Sequence, residues 1–316
     1  MRRLVYNIVH ETAYRYAGGV EFSHHLLRLT PRHTARQQCL AHDLAIEPAP
    51  TVTTKHRDYF GNDTHFISIE QPHGSLAVKS RSRVAIRPAL IPDSAETPAW
   101  ESVRARYSAD NSEQALDAHE FAYASPLVPI GPDFAEYAAP AFVKQRPILE
   151  AVTDLTDRIH RDFKFDPTAT TVTTPLQDVF NQRRGVCQDF AQFQIACLRS
   201  IGLPARYVSG YLETDAPPGQ PKLRGADASH AWISFLCPGH GWIDLDPTNN
   251  CLPSLRHITI GWGRDYSDVA PMRGVLVGGQ SQKMQVSVDV VASGPLEEEA
   301  TEEPPTSRTP RIGQDS

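Results

Sequence analysis

Alternating apolar and polar positions predict β-structure at the beginning of the chain. Apolar side chains occupy every second position at Leu4, Tyr6 and Ile8. The segments THFISIE and SLAVKSRSRVAI continue this period of two, which is typical of strands with one buried face. We expect the pair Gly18-Gly19 to form a hairpin turn and the segment YFGND to form another. Residues 1–90 are therefore predicted to be a β-rich domain.

Apolar residues at steps of three and four predict a helix that begins at Cys187. The stripe consists of Val186, Phe190, Phe193, Cys197 and Ile201. Gly202 suits the left-handed residue after a helix, and Pro204 prevents its continuation. Cys197 lies on the stripe and is expected to be a core residue. Cys187 lies in the first turn, where free N–H groups and the positive end of the helix dipole favour a thiolate.

The rest of the pattern divides the chain into four regions. After the β-rich domain, residues 91–135 are rich in Pro, Ala and Ser and are expected to form a connector with a short helix near SEQALDAHEFA. Residues 136–292 then read as a second domain. Helices over 133–162 and in PLQDVFNQRRG precede the cysteine helix, and the strand ARYVSGYL, a hairpin around PGHG and the strands RGVLVGG and KMQVSVDVV follow it. Residues 293–316 are rich in Glu and Pro and are predicted to be a disordered tail.

Composition and charge exclude several classes of protein. The chain has 31 basic and 37 acidic residues and no basic stripe, so we expect no nucleic-acid partner. No apolar run approaches the roughly 18 to 20 residues of a membrane span. The N-terminus alternates apolar and polar residues, unlike a secretory signal, which predicts a cytoplasmic protein. The five cysteines form no CxxC pair, as expected of reduced thiols.

The histidines do not show the spacing of a metal site. His10 in HETAY lacks the second histidine of the HExxH motif, and the pair His24-His25 has no partner at a ligand-like spacing. We therefore expect no dedicated metal. A metal-dependent hydrolase is retained only as a distant alternative.

Three residues could form a site for nucleophilic catalysis, because a thiol needs a base and the base needs an orienting acceptor. Downstream of Cys187, His230 opens one predicted strand and Asp246 closes the next. If the turn between the strands has an odd length, which the glycines of PGHG permit, Asp246 lies opposite Trp232 and one diagonal from His230. Asp244 would share that face but lie two residues farther away. An even-length turn would place His230 and Asp246 on opposite faces, and the sequence leaves both turns open.

The segments RRGVCQDFA, SHAW and GWIDLDPTN, in this order, resemble the bacterial transglutaminase-like superfamily, whose members are often described as cysteine proteases. The beginning of the chain and the segment GRDYSDVAPMRGVLVGG resemble one bacterial branch, in which a β-rich region precedes this domain. The resemblance covers most of residues 1–292. It implies an α+β fold: a papain-like core, with the cysteine helix packed on an antiparallel sheet, preceded by a β-sandwich or barrel-like domain. It also implies a Cys187, His230 and Asp246 triad without a cofactor.

The surroundings of the triad raise further expectations. Many members of the family offer a Tyr or Trp before the cysteine that helps to bind the oxyanion, whereas FKFDP here supplies only Phe163 and Phe165. The backbone N–H of Cys187 is then the default donor. The other candidates are Asn181 and Gln182 as helpers at the oxyanion, Asp265 and Tyr266 as walls of the cleft, Asp189 as a structural acid in the first turn, and Arg183 and Arg184 as groups that are either solvated or raise the local potential.

The leading hypothesis is a thiol enzyme that attacks a carboxamide or peptide carbonyl and forms a thioester. Water as acceptor would make it a protease or amidase, and an amine would make it an acyl transferase. Its partner would be a peptide or protein substrate, and its oligomeric state cannot be read from the residues. The alternative from another class is a non-catalytic peptide-binding module that retains the fold.

Overall fold

The computed structural model describes residues 3–109, 118–215, 225 and 227–295. Its strands are β1 Leu4–Leu27, β2 Gln37–Glu47, β3 Val52–Arg57, β4 Asp63–Ile69, β5 His73–Ile86, β6 Lys164–Phe165, β7 Arg184–Gly185, β8 Ala205–Leu212, β9 Ala228–Cys237, β10 Gly241–Leu245, β11 His257–Gly263, β12 Met272–Gly278 and β13 Gln282–Pro295. Its α-helices are α1 Trp100–Ala109, α2 Pro132–Ala138, α3 Ile148–Asp162, α4 Leu176–Gln182, α5 Cys187–Ser200 and α6 Tyr266–Val269. The chain is thus an α+β protein, as expected.

The N-terminal region forms a curled antiparallel sheet, a half-barrel. Its strands lie in the order β2-β5-β1-β4-β3, and β12 and β13 pair one after the other with β1. The barrel-like form of the expected N-terminal domain is therefore confirmed. The turn predicted at YFGND also exists, between β3 and β4, where Gly61 has a positive φ of 73° and donates its N–H to Asp58.

The hairpin predicted at Gly18-Gly19 is wrong, because β1 runs through these glycines without reversing. They mark the place where β1 changes partners: residues 4–16 pair with β13, and residues 20–27 pair with β12. Opposite them, Gly278 and Gly279 have positive φ angles, and the N–H of Gly279 donates to the carbonyl of Gly19. The glycines therefore let two long strands bend together.

The two last strands also correct the predicted domain content. Residues 272–295 were expected to belong mainly to the catalytic domain, but β12 and β13 complete the N-terminal half-barrel. Because β13 extends to Pro295, the predicted tail begins inside a strand, and its remaining residues, 296–316, lie outside the described residues. The alternation of RGVLVGG and KMQVSVDVV predicted strands correctly, but alternation carries no information about the partner strand.

The second region places α5 against an antiparallel sheet of order β10-β9-β8-β11. The core between them includes Phe190, Phe193 and Cys197 from the helix and Ile233 and Phe235 from the sheet. This is the papain-like arrangement that the sequence predicts. The helical stretch expected over 133–162 is two helices, α2 and α3. The segment between them contains Pro140 and Pro147, which oppose a continuous helix.

Side-chain amides join the half-barrel to the outer edge of β11. Gln37 donates from Nε2 to the carbonyl of Thr259 (2.7 Å) and accepts its N–H at Oε1 (2.8 Å). Asn62 makes the same pair of bonds with Trp262, at 2.9 and 3.0 Å. Two amides thus bond β11 where a neighbouring strand would otherwise lie. Beside them an apolar cluster contains Tyr6 and Ile8 of β1, Tyr211 of β8 and Ile258 of β11.

The connector is held to the second region by a buried arginine. Arg199, near the end of α5, is 2% exposed and donates to the carbonyls of Phe121, Tyr123, Ala205 and Arg264. Part of the short helix expected near SEQALDAHEFA, residues 110–117, lies outside the described residues. None of the helices in the described part of the chain is both long and apolar enough to span a bilayer.

Candidate active site

Cys187 is the first residue of α5 and is half-buried. The turn before it is fixed by Asp189, whose Oδ2 accepts the N–H of Val186 at 2.8 Å and the hydroxyl of Thr170 at 2.6 Å. A Cβ atom on Gly185 would lie 2.5 Å from this carboxylate, so the glycine is required for the close approach. Burial raises the pKa of Asp189, although both hydrogen bonds oppose the shift. Asp189 is therefore an anchor for the turn that presents the thiol.

Arg183 is partly buried, with its guanidinium packed on aromatic rings. Its guanidinium lies 4.8 Å from the ring centre of Tyr137, 5.0 Å from that of Phe163 and 4.3 Å from that of Phe180. Arg183 also has a positive φ of 54°, and its N–H closes helix α4. Stacking on these rings stabilises an unusual backbone conformation just before the cysteine turn. The neighbouring side chain of Arg184 is 54% exposed and lies 4.0 Å from Asp166.

His230 and Asp246 meet because the hairpin has the odd-length turn. In β9 and β10, Cys237 pairs with Gly241 and Ile233 with Leu245, which leaves three residues in the turn. Of the two turns that the sequence left open, the structure has the one that places His230 and Asp246 on the same face. Nε2 of His230 lies 2.7 Å from Oδ2 of Asp246, and both residues are buried. Asp244 instead accepts the hydroxyl of Ser234 and lies 3.7 Å from Arg36, so it does not contact the imidazole.

Cys187 lies close enough to the imidazole of His230 for its thiol to help raise the pKa of that imidazole. Because Nε2 faces Asp246, Nδ1 is the nitrogen left for the sulfur. Burial alone would lower the pKa of His230, but the interactions with Asp246 and Cys187 outweigh it and raise the pKa to about 10. The imidazole is therefore protonated at neutral pH and can stabilise a thiolate beside it.

Asp246 accepts hydrogen bonds on both oxygens. Oδ1 accepts the backbone N–H groups of Thr248 and Asn249, at 2.9 and 3.2 Å. Oδ2 accepts from His230, from the amide of Asn249 at 2.7 Å and from Nε2 of His257 at 3.0 Å. Burial would raise the pKa of this carboxyl, but the bonds from the two histidines hold it well below its usual range. The carboxylate is thus kept ionised and in one orientation.

His257 is the member of this cluster that the sequence analysis missed. It lies 27 residues after His230 in the chain, at the start of β11, and no local motif marks it. Ligand atoms of His230, Asp246 and His257 lie within 4.8 Å of one another, a spacing that could hold a metal ion. The Nε2 atoms of the two histidines are both hydrogen-bonded to Oδ2 of Asp246, however. Hydrogen bonding accounts for the cluster, and we assign no metal to it.

The remaining predicted residues are not gathered around the thiol. Asn181 and Gln182 are exposed at the end of α4. Asp265 is fully buried: it caps α6 through the N–H of Ser267 and accepts the N–H of Leu127, so it is not a wall of an open cleft. The sequence suggested Asp265 as a residue beside the site but could not show that backbone N–H groups already donate hydrogen bonds to both of its carboxylate oxygens.

Two tyrosines lie on the cysteine side of the sheet. The ring of Tyr266 packs edge-on against the ring of Tyr207, with centres 6.3 Å apart, and both belong to the region against which Cys187 packs. Burial, and after it the proximity of Cys187, raise the pKa of Tyr207 well above its usual value. Tyr207 was not singled out by the sequence analysis. The upstream Phe163 is buried in the core, and Phe165 is 53% exposed in β6.

Comparison with known proteins assigns families to both regions. Residues 6–85 match the model of the bacterial transglutaminase-like N-terminal region, and residues 135–247 match that of the transglutaminase-like superfamily. An uncharacterized protein of Mycobacterium tuberculosis is 41% identical over 294 residues, which cover 90% of this chain and 92% of that protein. A protein-glutamine gamma-glutamyltransferase of Pseudomonas aeruginosa is 32% identical over 99 residues, 29% of this chain and 15% of that protein.

Solved structures include a similar fold over almost the whole chain. The crystal structure of a "putative cysteine protease" from Cytophaga hutchinsonii covers 95% of this chain and 96% of its own, with a TM-score of 0.75 and 20% sequence identity. At this identity the likeness concerns the fold. The half-barrel and the papain-like region therefore occur together in another protein.

Proposed function

Because the chain belongs to the transglutaminase-like superfamily and carries the bacterial transglutaminase-like N-terminal region, we propose that it is a thiol enzyme acting on peptide or carboxamide bonds. Cys187 is the nucleophile, His230 is the acid and base, and Asp246 orients the imidazole. The observation that carries the proposal is the 2.7 Å hydrogen bond between His230 and Asp246, with Cys187 beside the imidazole at the start of α5. Such an arrangement combines a nucleophile with a base held in one tautomer.

The reaction follows from this geometry in two steps. The thiolate of Cys187 attacks the carbonyl carbon, and the C–N bond breaks as the imidazolium of His230 gives its proton to the leaving amine or ammonia. The product is a thioester on Cys187. Water or a primary amine then attacks the thioester while neutral His230 accepts its proton, and the sulfur leaves as the thiolate. Water yields a carboxylic acid, and an amine yields a new amide.

The oxyanion formed in each step needs a donor. As the first residue of α5, Cys187 has a backbone N–H with no partner inside the helix. This N–H is the first donor of the proposal. Phe163 and Phe165 cannot donate, whereas the hydroxyl of Tyr207, whose pKa Cys187 helps to raise, is a second candidate. Asn181 and Gln182 are less suitable because both lie exposed at the end of α4.

The two cysteines of α5 allow a matched test of the proposal. The protein is incubated with glutamine-containing peptides, with and without a primary amine, and ammonia, new amide and acylated protein are measured. Cys187→Ala should remove all three products, and Cys197→Ala should retain them, because Cys197 is fully buried in the core. Ammonia release that survives Cys187→Ala would contradict the proposal.

The reactions run with a primary amine distinguish an acyl transferase from a hydrolase. An amide product that grows with amine concentration indicates acyl transfer, and an acid product indicates hydrolysis. The alternative, a non-catalytic binding module, is supported only by the lack of a Tyr or Trp donor before the cysteine. It predicts a folded protein that binds peptide but neither accumulates a thioester nor reacts rapidly with iodoacetamide at Cys187.

A further inference from the structure

His257 is buried beside the proposed triad and contacts none of the atoms that would react. It is 4% exposed, and its Nε2 shares Oδ2 of Asp246 with His230. Since an ionised carboxylate can only accept hydrogen bonds, Nε2 of His257 must carry the proton. The second contact of the ring is apolar: its centre lies 5.2 Å from that of Trp232, with the rings at 86°.

The other ring nitrogen of His257 indicates why the residue is unusual. Nδ1 is buried and has no hydrogen-bond partner among the described residues. A buried nitrogen without a partner costs free energy, and an aromatic hydrocarbon would fill the same space without that cost. The hydrogen bond from Nε2 to Asp246 is the polar interaction that can offset this cost. This points to a role exerted through the carboxylate.

We propose that His257 is a positioning residue for the triad: its Nε2–H holds Oδ2 of Asp246 so that the carboxylate stays ionised and aimed at His230. The inference rests on the proposed function. The N–H groups of Thr248 and Asn249 already hold Oδ1. The position of Oδ2 therefore depends on its own donors, of which His257 is the buried one outside the triad. The amide of Asn249 reaches the same oxygen, but from an exposed residue.

Loss of the His257 donor should change the pH at which His230 loses its proton. The titratable groups that face this imidazole are Cys187 from α5, Asp246 from the end of the hairpin and His257 from β11, with Cys251 beside Asp246. A carboxylate that turns away would stabilise the imidazolium less. The imidazolium would then lose its proton at a lower pH, and activity would be lost at a lower pH on the alkaline side.

The test compares His257→Phe, which keeps an aromatic ring but no donor, with His257→Gln, which keeps a side-chain N–H. For His257→Phe we expect kcat to fall by about tenfold or more with KM within about twofold. The alkaline limb of the kcat/KM profile, where activity falls as the pH rises, should shift to a pH about one unit lower. His257→Gln should recover most of both effects. If His257 served only to stabilise the fold, its variants would have a lower unfolding midpoint, and the pH of the alkaline limb would not change.

His10 supplies the matched control. It is a buried histidine, 2% exposed, whose ring hydrogen-bonds Tyr211 and Thr12 and, among the described residues, none of the triad. His10→Phe should lower stability but leave the alkaline limb unchanged. If His257→Phe and His257→Gln both keep the wild-type limb and kcat, the inference is overturned. If the Phe variant does not fold, His257→Met, another apolar side chain without a donor, takes its place in this comparison.

A readout without substrate separates this inference from the proposed function. The rate at which iodoacetamide alkylates Cys187 is measured against pH in the wild type and in both variants. A shifted alkaline transition in His257→Phe, restored in His257→Gln, supports the positioning role even if no peptide is turned over, in which case the proposed function alone fails. Active wild-type protein whose His257 variants show unchanged profiles would retain the function and overturn the inference.

Discussion

The half-barrel and the papain-like region both bury histidines, and they treat them in opposite ways. His10 of β1 and His230 of β9 are 2% and 9% exposed. Burial lowers the pKa of His10 to about 4, because its partners are the hydroxyls of Tyr211 and Thr12. The pKa of His230 is raised to about 10 despite burial, because its partners are Asp246 and Cys187. Burial therefore does not decide the charge of a histidine, whereas a buried carboxylate does.

The same contrast extends over the half-barrel. Burial is the largest cause that lowers the pKa of His25 and of His42 to about 4, and neighbouring histidines add to it. His10, His25 and His42 are therefore neutral polar groups within a β-structure. The buried histidine with a raised pKa lies in the second region, where the proposed chemistry needs it.

The largest effect is expected from removing the charge that distinguishes the two histidines. Asp246→Asn should lower kcat by about ten-thousandfold with little change in KM, as expected for the loss of an orienting carboxylate. Asp244→Asn is the matched control, because Asp244 contacts Ser234 and not the imidazole. NMR titration should show the pKa of His230 falling towards the range of His10. Equal losses in the two variants would contradict the assignment of Asp246.

The second prediction concerns stability in acid. Since the folded-state pKa of His10 is about 4 and that of an unfolded histidine is about 6.5, its contribution is present above pH 6.5 and is lost as the pH falls towards 4. His10 alone should account for roughly 3 kcal/mol of unfolding free energy lost at pH 4. Urea unfolding at several pH values should show a weaker acid dependence in His10→Gln.

His230 should behave in the opposite sense in the same experiment. Its raised pKa gives a contribution that is present below pH 6.5 and is lost as the pH rises towards 10. Hydrogen exchange resolves the two regions: acid should first expose amides of β1 and β5, whereas alkali should affect β9. If His10→Gln shows the same acid dependence as the wild type, the neutral histidine of the half-barrel is not a source of that dependence.

The smallest effect is expected at Cys197. Cys197→Ala should lower the unfolding free energy by about 1 kcal/mol, as for a modest core truncation, and leave kcat unchanged. Thermal unfolding and peptide turnover measure the two quantities. Loss of turnover in a fully folded Cys197→Ala protein would show that the two cysteines of α5 are not divided into structural and reactive roles.

The sequence predicts local features of the site more completely than distant ones. The register of β9 and β10 could be narrowed to two alternatives, because period-two alternation fixes each face once the turn length is known; the structure has the odd-length turn. His257 could not be inferred, because β11 reaches the hairpin only through β8. Contacts between strands that are not paired with each other leave no periodic signal in either strand.

Two errors in the fold have the same origin. Gly18-Gly19 has the composition of a hairpin turn, but pairing with distant strands on both sides of β1 keeps the chain extended there. The strands β12 and β13 were recognised by alternation, yet their partner lies at the other end of the chain. Propensity and periodicity describe a segment, whereas sheet topology depends on what long-range packing makes available.

The pairing of β1 with β13 has a consequence for biosynthesis. Residues 4–16 are synthesised 266 to 291 residues before the residues of β13 with which they pair. At typical translation rates this delay is on the order of ten to sixty seconds. During it, one edge of a 24-residue strand has no native partner. Pairing of this edge, and with it the closure of the half-barrel around β1, therefore waits until β13 has been made.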